Sequence, residues 1–126
     1  MARKKIAFVD DDPGLARAWI KDLKKILRGV SFTHYKSCEK LLKAMAGGKR
    51  YALYLVNTDL GRGMEGPCCT VAILSLHPEA LIIGMSRVRG SSRVLARTYR
   101  DLGAVEFLNK EEGSAAMAAL IRQFGF

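Results

Sequence analysis

Six side chains in this sequence could act together: Asp10, Asp11 and Asp12 in "IAFVDDDPG", Asn57 in "YLVNTDLGRGMEG", Ser86 in "IIGMS" and Lys110 in "EFLNK". Each stands where a short apolar run ends. Paired aspartates suit a hard divalent cation such as magnesium, which takes oxygen ligands. A hydroxyl and a lysine suit the oxygens of a phosphoryl group. The part missing between them is a nucleophile. Asn57 carries an amide, which is a poor nucleophile and yields no labile acyl phosphate. Asp59 is the nearest carboxylate in the same loop.

These residues converge only if the runs before them are strands of one sheet. "KIAFV", "VSFTHY", "YALYLV", "ALIIGMS" and "AVEFLN" are short, apolar and rich in β-formers, and they predict five strands. "YALYLV" is almost wholly apolar, as a strand covered on both faces should be. Between the strands lie helical patterns. "GLARAWIKDLKKILRG" puts Leu15, Trp19, Leu23 and Ile26 at helical spacing, with Asp12 as cap, Pro13 in the first turn and Gly29 as the stop. Trp19 is read as core. Ser37 caps "CEKLLKAMA", and Gly66-Pro67 opens "PCCTVAILSLH". "SSRVLARTYRDLG" and "GSAAMAALIRQF" complete the set. Strand followed by helix, five times over, predicts a parallel sheet with helices on both faces and right-handed crossovers. In such folds the carboxyl ends of the strands carry the site.

Length and composition bound the rest. A chain of 126 residues, 49% apolar, supports one core and argues against disorder. No apolar run approaches a membrane span. "MARKK" followed by "IAFV" is too short for a signal-peptide core, so the reading is a soluble, cytoplasmic protein. The three cysteines, Cys38, Cys68 and Cys69, are odd in number and two are adjacent in a predicted helix. That predicts free thiols with no disulfide framework, and neither His34 nor His77 sits at ligand spacing from them. The net charge of +9 points to an acidic partner, nucleic acid or a membrane surface.

Taken together in their order and spacing, these motifs resemble the receiver domain of bacterial two-component response regulators. The resemblance runs from about Lys4 to Phe124 and so treats 1–126 as a single domain, either stand-alone or the N-terminal piece of a longer protein. It implies a three-layer, doubly wound (βα)5 fold, flavodoxin-like, with strand order 2-1-3-4-5. It places Asp10 and Asp11 on the two acidic positions that help bind magnesium. Asn57 falls on the phospho-accepting aspartate, and the backbone carbonyl of Asp59 on the third metal contact. Ser86 and Lys110 fall on the phosphate-binding positions, and Phe107 on the aromatic switch position.

The sequence departs from the family's pattern around that site. Asn57 replaces the nucleophile. Arg87 follows Ser86 where a small residue is usual, and Glu111 follows Lys110 where proline is usual. The loop from Asn57 to Gly66 is one residue longer than is common. These departures imply a pseudo-receiver that keeps the frame and has lost the chemistry: no enzyme, no required cofactor, magnesium weak at most. Lys110 is then expected to pair with Asp10, Asp11 or Asp12. Two other readings stay open. One is a phosphorylatable receiver, with Asn57 engineered from aspartate or Asp59 as the acceptor. The other is a basic nucleic-acid module, which no helix-turn-helix, zinc or stacking motif supports.

The basic residues divide into two groups. Lys21, Lys24, Lys25 and Arg28 belong to the solvated face of the first helix. Arg93, Arg97 and Arg100 lie at helical spacing on the fourth, with Arg87 and Arg89 in the loop before it. In receivers the fourth helix, fifth strand and fifth helix commonly meet output partners. The resemblance thus implies a signalling protein, acidic at its contact surface, as partner, and a histidine kinase in the ancestry with phosphotransfer in doubt. The arginines supply the docking face, and Leu95 and Tyr99 are expected inward.

Overall fold

The computed structural model describes residues 4–88 and 92–126. Arg89, assigned above to the partner surface, lies outside them. Five strands, β1 (Lys4–Val9), β2 (Val30–Tyr35), β3 (Leu53–Asn57), β4 (Ile82–Ser86) and β5 (Glu106–Asn109), form one parallel sheet in the order β2-β1-β3-β4-β5. Five helices alternate with them: α1 (Pro13–Ile26), α2 (Cys38–Ala46), α3 (Gly66–Leu76), α4 (Arg93–Asp101) and α5 (Ser114–Arg122).

The predicted caps hold. Asp12 accepts a hydrogen bond from the Leu15 amide at 3.1 Å, and Ser37 accepts one from the Lys40 amide at 3.2 Å. Each satisfies a donor that the first helical turn leaves unpaired. Strand bounds move by a residue or two. Tyr51 is buried but precedes β3, and Asn57 closes the strand, aligned with Met85 of β4. A short 3-10 turn, Lys110–Glu112, follows β5 directly and was not foreseen. The Asn109 side chain starts it by accepting from the Glu111 amide at 3.1 Å.

The helices divide between two faces. α1 and α5 cover one with Ala16, Trp19, Leu23, Met117, Ala118 and Ile121, packed on Ile6, Phe8, Leu53, Leu55 and Ile83. α2, α3 and α4 cover the other with Leu41, Met45, Ile73 and Tyr99, packed on Ala7, Val9, Tyr54, Val56 and Ile82. Alternate residues of each central strand serve opposite faces, so β3 is buried throughout. Tyr99 lies flat under the sheet where Gly84 leaves room: a Cβ there would fall 2.5–2.6 Å from its ring. Leu95 packs beside it, as its spacing predicts.

The cysteines correct the sequence expectation. Cys38 at the start of α2 and Cys69 in the first turn of α3 form a disulfide, with their Cα atoms 5.8 Å apart. Adjacency in a helix excludes only a Cys68–Cys69 bond. Cys69 turns inward to meet a different helix, while Cys68 is exposed. Among the described residues no helix is long and apolar enough to cross a membrane.

Candidate functional site

The carboxyl ends of β1, β3 and β4 and the turn after β5 surround a cleft of about 240 Å³. Asp10, Asp11, Asp12, Asn57, Asp59, Ser86, Arg87 and Lys110 all line it. The topology thus brings together every pocket residue named from the sequence. Register does this work, since Val9 aligns with Val56, Asn57 with Met85, and Ser86 with Asn109.

Several polar groups of the cleft are engaged with one another. The Lys110 Nζ donates to Asp10 Oδ2 at 2.6 Å, and both side chains are almost fully buried. Asp10 Oδ1 accepts from the Asp12 amide at 3.0 Å. The Asp10 carbonyl accepts from His34 Nε2 at 2.7 Å, which fixes the proton on that ring nitrogen. Of the three aspartates, Asp10 is the one that takes the lysine. A buried charge pair of this kind holds only because each remaining polar group has a partner.

Asn57 Nδ2 donates to the backbone carbonyl of Asp59 at 2.6 Å. The amide orientation follows from chemistry, because its oxygen would repel that carbonyl. Asp59 Oδ1 in turn accepts from the Gly61 amide at 3.1 Å, in a local turn of the loop. Arg87 reaches Glu111 at 3.5 Å, an exposed pair at the cleft's rim. The two residues that depart from the family's pattern here therefore contact each other.

A divalent cation fits this arrangement poorly. The carbonyl expected to face the metal faces an N–H donor, and one of the acidic pair, Asp10, is already met by an ammonium. Hard cations are held by the number and charge of free oxygens. Among the described residues no cluster of acidic, histidine or cysteine groups has the spacing of a metal site.

Two residues near the cleft, Thr58 and Glu39, are not singled out in the sequence. Thr58 gives its proton to the Met85 carbonyl at 3.0 Å, so its oxygen accepts from the Tyr99 hydroxyl at 2.8 Å. Tyr99 stacks on Phe107, with ring centroids 5.5 Å apart, and Phe107 is itself buried. Burial pushes the Tyr99 phenol up to about 12. Glu39 of α2 accepts from the Met64 amide at 2.8 Å and ties down the loop after β3. A partner for Thr58 lying 41 residues away has no signal in local sequence.

The arginines form a separate surface. Arg93, Val94, Arg97, Arg100 and Asp101 line a groove of about 520 Å³ on α4, with Val94 80% exposed. Arg100 is also committed elsewhere, to Glu106 of β5 at 2.5 Å. Burial pushes the Glu106 carboxyl up, but Arg100 and the Phe107 amide outweigh it and hold that carboxyl below the usual range.

No protein-family model matches the chain, and no curated protein matches it. Solved structures do. The chain is similar to the N-terminal domain of a response regulator/sensory box/GGDEF 3-domain protein from Carboxydothermus hydrogenoformans, at 21% identity over 95% of this chain and 92% of that one, with a TM-score of 0.82. It is similar to the receiver domain of NtrX from Brucella abortus, at 18% identity over 94% of each chain, TM-score 0.79. It is also similar to the BeF3-activated receiver domain of Thermotoga maritima DrrB, at 20% identity over 97% of each chain, TM-score 0.76. At these identities the likeness speaks to architecture. The five-stranded parallel sheet, its strand order and its two helical layers are those of the response-regulator receiver fold.

Proposed function

We propose that this chain is a receiver-type module of two-component signalling that works by protein–protein contact and not through an aspartyl phosphate. The observation that supports this most is the Asn57 amide, which stands at the acceptor position and is bonded to the Asp59 carbonyl. An amide offers no carboxylate oxygen to attack a phosphoryl donor. The Lys110–Asp10 pair supports the same reading, since it supplies internally the charge balance that a metal and a phosphate would otherwise supply. On this reading the chain is not an enzyme, and cytoplasmic residence goes with it.

The partner is a signalling protein with an acidic contact surface, docking on α4. Arg93 and Arg97 flank exposed Val94 there, so the groove offers positive charge around an apolar centre. That pattern matches the polar rim and apolar core of a protein interface. No aromatic side chain lines it for the stacking that a nucleic-acid site uses.

The test is incubation with acetyl phosphate and magnesium, read by intact mass. The chain should gain no phosphoryl mass, while the Asn57→Asp variant, which restores an acceptor, should be labelled. Labelling of the unmodified chain at Asp59 would overturn the proposal.

A further inference from the structure

The face of the sheet under α2 and α3 holds a feature that the signalling reading does not use. Cys38 and Cys69 are both fully buried, and each lies in the first turn of its helix. We propose that they form a reversible thiol–disulfide pair whose state sets the loop between β3 and α3. This goes beyond the signalling reading and does not depend on whether Asn57 is inert.

Position carries the inference. The loop, residues 58–65, runs from Asn57 to α3 and carries Asp59 into the cleft. Besides the bonds of Thr58 to Met85 and of Asn57 to Asp59, three ties hold it. Its base is closed by the Gly66 amide bonded to the Thr58 carbonyl at 2.8 Å. Its end before α3 is held by the Met64 amide on Glu39, next in sequence to Cys38. Behind both, the disulfide fixes the first turn of α3 against the first turn of α2. The covalent bond therefore spans the same two segments that the Glu39 contact joins. Removing it leaves that contact, at an exposed carboxylate, as the hydrogen-bonded tie between the loop and α2.

The location also makes the bond reachable. First turns open more readily than helix centres or strands. The first turn of α3 has no side-chain cap, because Glu65 at its N-cap makes no such bond. Local opening there exposes sulfur without breaking the sheet. In a reducing compartment, disulfides that form are typically transient or redox-sensing.

The chemistry balances with a dithiol as reductant. One thiolate of the dithiol attacks a sulfur of the Cys38–Cys69 bond. A mixed disulfide forms and the other cysteine leaves as a thiolate. The second thiolate of the dithiol then attacks the mixed disulfide and releases the first cysteine. The protein gains two electrons and two protons, and the dithiol becomes a cyclic disulfide. A small disulfide oxidant reverses the exchange.

Cys68 serves as an internal reference, because it is exposed and outside the bond. The folded chain is equilibrated with reduced and oxidised dithiothreitol over a range of ratios. It is then quenched in acid, alkylated under denaturing conditions and weighed. The oxidised protein should carry one alkyl group and the reduced protein three, with conversion in both directions and no denaturant. Hydrogen exchange of the Gly61, Met64 and Gly66 amides should be at least about tenfold faster in the reduced form. Its melting temperature should fall by on the order of 10 °C. Cys68→Ser should leave these responses intact, and Cys38→Ala/Cys69→Ala should abolish them. Three alkyl groups on the oxidised protein would overturn the proposal. So would a bond that dithiothreitol leaves intact in the folded chain, which marks a permanent staple. Equal loop exchange in the two forms would overturn it too.

Discussion

The two faces of the sheet are built from different materials. The face under α1 and α5 is mostly hydrocarbon, with Ile6, Phe8, Leu23, Leu55, Ile83 and Ile121 fully buried and no buried hydroxyl in its core cluster. The face under α2, α3 and α4 is also a buried core but includes Tyr51, Tyr54, Tyr99 and the Cys38–Cys69 bond. Hydrocarbon packing is non-directional, whereas each buried hydroxyl must find a named partner. Tyr54 finds His77 at 3.1 Å, Tyr99 finds Thr58, and the Tyr35 and Tyr51 hydroxyls bond to each other. The first face supplies packing without direction. The second fixes where its helices and the loop beside the cleft must sit, and it backs the surface proposed for partners.

The contrast can be broken or sharpened in three ways. The largest effect is expected at the seam between the faces. Lys110→Ala leaves the Asp10 carboxylate buried without its ammonium and should cost about 3–5 kcal/mol in urea unfolding. Adding Asp10→Asn should recover part of that loss. A cost near zero would mean that the cleft's polar contacts are not structural, and the contrast would fail there.

The next effect is alkaline and belongs to the tyrosine face. Burial raises Tyr99 to about 12 from an ordinary 10.0, and it raises Tyr35 and Tyr54 in the same direction. The unfolded chain releases these protons first as pH rises. Stability is therefore full below pH 10.0 and declines toward about 12. Tyr99 alone accounts for roughly 2–3 kcal/mol of that decline. Urea midpoints across this range should show it, and Tyr99→Phe should flatten the slope. A level profile would mean the phenols are better solvated than their burial implies.

The smallest effect is at the α4–β5 edge. Arg100→Ala should cost under about 1 kcal/mol near neutral pH, because the guanidinium is more than half exposed. The Glu106 carboxyl is held below its ordinary 4.5, so the contribution is present above that pH. It is lost as pH falls through the lowered value. The difference between variant and parent should therefore close in acid. A gap that persists there would assign the role to the packing of the arginine stem.

Much of this was legible in the sequence because it depends on period and on local stops. The alternation of strand and helix, the Asp12 and Ser37 caps, and the position of Asn57 at a strand tip all follow from short-range patterns. The cleft followed as well, because strand ends in a parallel sheet converge by topology. The disulfide, the Tyr99–Thr58 bond and the Glu39–Met64 tie did not follow. Each joins residues far apart in sequence, and each depends on which way a side chain turns once the helices are packed. Arg100 shows the same limit: helical spacing placed it in a stripe, but its ion pair lies on the neighbouring strand.

The position of Asn57 has a consequence for chemical ageing. An asparagine turns into aspartate when the next backbone nitrogen attacks its side-chain carbonyl and closes a five-membered imide. Here that nitrogen belongs to Thr58, and its N–H is bonded to the Met85 carbonyl at 2.9 Å. Asn57 itself is in extended backbone, buried, and tethered through its amide. Closing the ring would require the end of β3 to leave the sheet. The folded chain thus protects its amide against spontaneous hydrolysis, and position 57 does not drift to a carboxylate with time.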